Sequence, residues 1–144
     1  MAAEQWIERV VERAISVQQV PAPTFAESAR AALVRRMFVQ EGLADVQLDH
    51  TGCVLARLPG QGNAPPLVVS AHLDTVFPAG TDLTMRRDSV KVYAPGIGDN
   101  SLGVAALFAL AWEFKAKPAA LPGDVWLVAN VCEEGLGDLL GMNA

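Results

Sequence analysis

Ser70-Ala71-His72-Leu73-Asp74-Thr75-Val76 is the stretch on which the reading of this chain turns. The apolar run Leu67-Val68-Val69 leads into it and delivers a histidine and a carboxylate two residues apart. Side chains alternate faces along a strand, so His72 and Asp74 point the same way at the end of a buried strand. An imidazole beside a carboxylate suits a metal-ligating histidine oriented by its acid. A core histidine paired with an aspartate would read the same, and only the rest of the chain decides between them.

Outward from this strand, apolar residues at Trp6, Ile7, Val10, Val11, Ala14 and Ile15 recur at helical spacing, which predicts a helix from Gln5 to about Val17. Pro21 and Pro23 end it. Thr24-Phe25-Ala26-Glu27 has the form of a capping box, opening a second helix that runs through Leu33, Val34, Met37 and Phe38 to Gly42. Val46–Leu48 and Cys53–Leu58 read as strands joined by the turn Asp49-His50-Thr51-Gly52, with His50 an exposed turn residue. A further strand is expected around Ser89–Tyr93, an apolar helix over Leu102–Lys115, and a strand over Asp124–Val131 covered on both faces. Asp138, after Gly135 and Gly137, reads as the cap of another helix. Alternating helices and buried strands predict an α/β fold: a mixed, largely parallel sheet with helices on both faces.

Composition narrows the function. The chain has 144 residues, enough for one domain with a real core. It is 51% hydrophobic and 19% charged, yet no run approaches the roughly 18 apolar residues of a membrane span. Net charge is −5 and the 11 basic residues form no cluster, so neither a nucleic-acid nor a membrane partner is expected. Cys53 and Cys132 are unpatterned, as in reduced cytosolic proteins, and no export signal is visible; a cytoplasmic location follows as an expectation. The high apolar content also leaves room for self-association through exposed apolar surface.

Two further stretches share the chemistry of the first. Gly96-Ile97-Gly98-Asp99-Asn100-Ser101 is a glycine-rich turn entering a helix, where Asp99 alone reads as an N-cap. Cys132-Glu133-Glu134-Gly135 follows one of the most apolar strands of the chain. All three lie at strand ends or helix entrances, the edge where open α/β sheets bind ligands. Brought together, Asp74, Asp99, Glu133 and Glu134 crowd around one imidazole. Two such charges 4 Å apart repel by about 4 kcal/mol at an effective dielectric near 20, so the cluster must take up protons or cations. Oxygen ligands with one nitrogen suit zinc, manganese or cobalt.

Together, Ser-Ala-His-Leu-Asp-Thr-Val, Gly-Ile-Gly-Asp-Asn-Ser-Leu-Gly-Val-Ala-Ala and Cys-Glu-Glu-Gly-Leu-Gly-Asp-Leu resemble the co-catalytic zinc peptidase family of acetylornithine deacetylase, succinyl-diaminopimelate desuccinylase, aminoacylase, glutamate carboxypeptidase and the bacterial tripeptidase. The resemblance implies a zinc-peptidase-like fold and two divalent ions. His72, Asp99 and Glu134 would be metal ligands, with Asp99 bridging; Asp74 would hold His72 or adjust the charge of the site, and Glu133 would act as general base. It also implies a cis peptide at Asp99–Asn100, and a small peptide or N-acyl amino acid as substrate. Asn100-Ser101 stand where many relatives carry a lysine-containing sequence, which favours the peptidase-like subgroups. The family uses a further acidic ligand and a later histidine; after Glu134 the sequence holds Asp138 and no histidine. The expectation is therefore that residues 1–144 form the N-terminal part of a catalytic domain, incomplete and inactive alone, without the family's dimerisation or lid domain or its C-terminal part. The alternatives are a related dizinc aminopeptidase and a non-catalytic binding or assembly module.

Overall fold

In the computed structural model, residues 2–116 and 121–143 are described. Helix α1 spans Ala2–Gln18 and helix α2 spans Ser28–Gln40. Gly42, at φ 65°, takes the left-handed conformation that ends a helix at little cost to glycine. The capping box does not form. Glu27 occupies the cap position of α2 without a side-chain cap bond, and Thr24 is drawn elsewhere.

Strands β1 (Ala44–Leu48) and β2 (Val54–Leu58) form the expected hairpin. Asp49 organises its turn: one carboxylate oxygen accepts the backbone N–H groups of Thr51, Gly52 and Cys53 and the Thr51 hydroxyl. These bonds outweigh slight burial and lower the Asp49 pKa. His50 is exposed there, as expected of a turn residue.

The site depends on the pairing of β3 (Leu67–His72) with β6 (Val125–Asn130). They run parallel, in a register that sets Leu67 opposite Val125 and His72 opposite Asn130. Sheet order is β1-β2-β6-β3, so the sheet is mixed as expected, but the expectation of a largely parallel sheet is corrected: among the described residues β3–β6 is its one parallel pairing and the other two are antiparallel. The short hairpin forces β1 and β2 to be antiparallel. Between β3 and β6 lies a separate small hairpin, β4 (Arg86–Arg87) and β5 (Val92–Tyr93), followed by helix α3 (Leu102–Ala116). The strand expected at Ser89–Tyr93 is mostly turn, because Asp88 accepts the N–H groups of Val90 and Lys91.

Helices cover one face of the sheet. Val54, Ala56, Leu58, Val125, Leu127 and Ala129 pack with Val17 of α1, Val34 and Phe38 of α2 and Leu107 and Phe108 of α3. The alternating residues Leu55, Arg57, Trp126 and Val128 are half-buried, and Val68 and Ser70 are exposed. The expectation of helices on both faces is thus corrected for the described residues. So is that of β6 covered on both sides, and β3 is buried only at its end, Ala71-His72. A long apolar run predicts burial but does not say how many faces are covered. Beyond β6 the chain makes two 3-10 turns, Gly135–Gly137 and Leu140–Met142. Asp138, at φ 48°, lies between them and caps no α-helix, which corrects its expected role. Among the described residues, no helix is long and apolar enough to cross a membrane.

Candidate metal centre

The β3–β6 register brings the first and third motifs together. Both strands end at the same rim, so the chain leaving β3 at Leu73-Asp74 meets the chain leaving β6 at Glu133-Glu134. Leu73 N–H donates to the Asn130 carbonyl, extending the parallel ladder by one bond. Asp74, fully buried, then accepts the backbone N–H of Glu133 at 3.0 Å and of Glu134 at 2.8 Å, one on each oxygen. The Thr24 hydroxyl donates to it at 2.9 Å. A buried carboxylate with its lone pairs filled by fixed donors is a framework piece. Asp74 therefore does more than steady the histidine: it fixes where both glutamates begin.

His72 lies above it. Its Nδ1 is 3.1 Å from the Asp74 backbone carbonyl and 3.5 Å from the carboxylate, so Nδ1 carries the proton. That leaves Nε2 facing Asp99 Oδ1 at 3.0 Å and Glu133 Oε2 at 3.7 Å. Asp99 is brought in by the second motif. Residues Ile97–Ser101 form one wide turn entering α3, and Asp99 and Asn100 there leave the helical conformation. The Asp99–Asn100 peptide is cis, as the family resemblance implied. Asp99 is no N-cap; Gly96 occupies that position. Ligand atoms of His72, Asp99 and Glu134 all lie within 4.8 Å of one another. Of the five expected residues, these three form the cluster, Glu133 adjoins it, and Asp74 sits beneath.

The charges answer to this geometry. Burial would pull the His72 pKa down, but the Asp74 hydrogen bond and the Glu133 charge prevail and lift it to about 9. For Asp74, burial is outweighed by bonds from His72, Glu133, Glu134 and Thr24, which hold its carboxyl well below the usual range. The Glu134 carboxyl is raised, by partial burial first and then by Asp99.

Sequence reasoning missed three contributors. Thr24 and Glu27 were assigned to a helix cap, yet Thr24 bonds Asp74, and buried Glu27 accepts the N–H groups of Phe25 and Cys132 at 3.1 Å each. The third is Arg30, which is 2% exposed. Its guanidinium donates to the carbonyls of Leu73 at 2.7 Å and Val20 at 2.8 Å. Burial lowers its pKa to about 10, with the charge of Asp74 opposing that shift. The signal for Arg30 was present: with Val34, Met37 and Phe38 it falls on the buried face of α2 at i, i+4, i+7 and i+8.

The sheet order and acid-rich rim place this chain in the zinc-peptidase-like class of α/β folds. It belongs to peptidase family M28, whose family model matches residues 53–142 and so spans all five site residues. Among solved structures, aminopeptidase PepT from Bacillus cereus is similar, at 23% identity and TM-score 0.80, over 95% of this chain and 39% of its own. A tripeptidase from Staphylococcus aureus matches at 23% identity and TM-score 0.73, over 86% of this chain and 36% of its own. A dinuclear metal-binding peptidase from Bacillus subtilis matches at 16% identity and TM-score 0.62, over 89% and 36%. The chain thus spans little more than a third of the length of these structures. No curated protein matches it.

Proposed function

We propose that this chain carries part of the catalytic centre of a metal-dependent peptidase or N-acyl-amino-acid amidohydrolase, holding two divalent ions, with zinc favoured over cobalt or manganese. One observation carries the reading: the convergence of His72, Asp99 and Glu134 ligand atoms within 4.8 Å. Two ligands on one zinc ion, at about 2.0–2.2 Å each, stand about 3.4 Å apart at a tetrahedral angle, so a contraction of about 1.4 Å at most closes the set. One nitrogen with carboxylate oxygens is a donor set that zinc accepts. The Bacillus subtilis neighbour, described as dinuclear metal-binding, supports a pair of ions.

When bound, such a pair supplies Lewis acidity and a water acidic enough to ionise near neutral pH. In this reading His72, Asp99 and Glu134 hold the ions, with Asp99 shared. Asp74 is a positioning residue, holding His72 by Nδ1 and both glutamates by their N–H groups. Glu133 is the general base: its backbone is pinned by Asp74 while its carboxylate stays at the rim, free to take a proton from the attacking water and hand it to the leaving amine. Substrates are small peptides or N-acyl amino acids. The chain is read as the N-terminal part of the catalytic domain, requiring further protein to turn over. The unpaired, buried Cys53 and Cys132 support a reducing, cytoplasmic setting, and exposed Leu67 and Val68 support self-association.

Equilibrium dialysis against zinc tests the proposal. The chain is expected to take up zinc, and His72→Ala and Glu134→Ala are expected to abolish that uptake while keeping the far-ultraviolet spectrum. Zinc uptake undiminished in both variants, or absent from the parent chain, overturns it.

A further inference from the structure

At the edge of the sheet opposite β3, a groove of about 820 Å³ is lined by helix α2 and strand β1. Helix α2 lines it with small side chains, Ser28, Ala31 and Ala32, at i, i+3 and i+4 on one stripe. Val46 and Leu48, two residues apart on β1, line it as well, so its floor is apolar. Farther along the same helix it is lined by Arg35 and Arg36, both exposed. Every other arginine of the chain is committed. Arg13, Arg57 and Arg87 hold carboxylates, Arg30 holds carbonyls, and Arg9 and Arg86 stack on aromatic rings. Among the described residues, Arg35 and Arg36 have no ion pair. Glu27, the acid of the lining, does not neutralise them: it is buried, with Oε1 accepting the N–H groups of Phe25 and Cys132. The strand is open too. β2 is its sole neighbour in the sheet, so the outer backbone groups of β1 have no ladder partner. A bulge or a charge usually blunts such an edge. Here the irregularity lies between Ala44 and Gln47, and Asp45 is bound to Arg57, which leaves Gln47 and the exposed Leu48 uncharged and regular.

We propose that this groove docks an extended segment of a partner protein, carrying carboxylates beside apolar residues, as an added strand along β1. Each part of that chemistry answers one feature of the groove. An extended backbone pairs with the free edge of β1. Carboxylates engage the two uncommitted guanidinium groups, whose planar forks match them. Apolar side chains cover Leu48 and Ala32. The groove owes nothing to the metallopeptidase reading, and either can fail without the other.

The test uses the metal-free chain with two capped, dye-labelled heptapeptides, Val-Glu-Glu-Val-Glu-Glu-Val and Val-Lys-Lys-Val-Lys-Lys-Val, by fluorescence anisotropy. When extended, both faces of either peptide carry valine and charge. The chain has a net charge of −5, so its general field favours the lysine peptide. Binding of the glutamate peptide about tenfold tighter than the lysine peptide therefore reads the groove itself. Arg35→Gln combined with Arg36→Gln, at exposed positions, should weaken the glutamate peptide about tenfold and keep the far-ultraviolet spectrum. The amide resonances of Gln47 and Leu48 should shift when that peptide binds. Equal binding of the two peptides, undiminished affinity in the double variant, or shifts confined to residues outside the groove overturns the proposal. So does loss of glutamate-peptide binding in a longer length of the protein, because later residues of the same chain would then fill the groove.

Discussion

Replacing Asp74 with asparagine separates a framework role from a merely local one. The change is nearly isosteric, but an amide has one acceptor oxygen where the carboxylate has two. In the structure both oxygens are used: one by the Glu133 N–H, the other by the Glu134 N–H and the Thr24 hydroxyl. Whichever way the amide turns, its NH2 faces a backbone N–H at the buried rim. An unsatisfied buried donor costs about 1–3 kcal/mol, and charge-assisted bonds are lost besides. Arg30, buried nearby, loses the anion that favours its charge. The expected destabilisation is about 3 kcal/mol, roughly 10 °C in Tm for a domain of this size. Urea unfolding followed by tryptophan fluorescence measures it. The His72 resonances should show its pKa returning from about 9 toward 6.5. A loss below about 1 kcal/mol with the His72 titration unchanged would refute the argument that Asp74 organises the rim.

Other outcomes follow from the same geometry. The raised His72 pKa stabilises the metal-free fold fully below about pH 6.5, and that contribution is lost as pH rises through about 9. Unfolding free energy should fall by about 3 kcal/mol over that window, read by denaturant titrations at a series of pH values. Zinc binds the neutral imidazole, so below about pH 9 its uptake should release a proton from His72, visible as buffer-dependent calorimetric heats. Arg30→Met leaves the Leu73 and Val20 carbonyls without their donor and Asp74 with His72 as its remaining nearby cation; a loss of about 3–5 kcal/mol is expected, with Arg30→Lys recovering part of it. In a length of the protein competent for turnover, Glu133→Gln should keep zinc uptake and lower kcat by about 10²–10⁴-fold. Equal loss of metal would instead make Glu133 a ligand.

What the chain's local order determined is what depends on near neighbours. The 3.6-residue period of α1, the Asp49 turn of the β1–β2 hairpin and the parity that sets His72 and Asp74 on one side are all written within a few residues. The three acid-bearing motifs were legible too, because each follows a recognisable strand end or turn. Competition between distant partners was not. Thr24 and Glu27 match each other as a cap, but Asp74 and the Cys132 N–H, far along the chain, offer them buried partners. The same holds for Arg30, whose charge is tolerable inside only because Leu73, Val20 and Asp74 arrive around it. Coverage of the sheet was likewise decided in three dimensions, since alternate residues of β6 are equally apolar whether or not a helix lies over them. Tertiary packing sets these outcomes because a polar group takes the partner that remains when water is excluded, and sequence proximity does not specify which one that is.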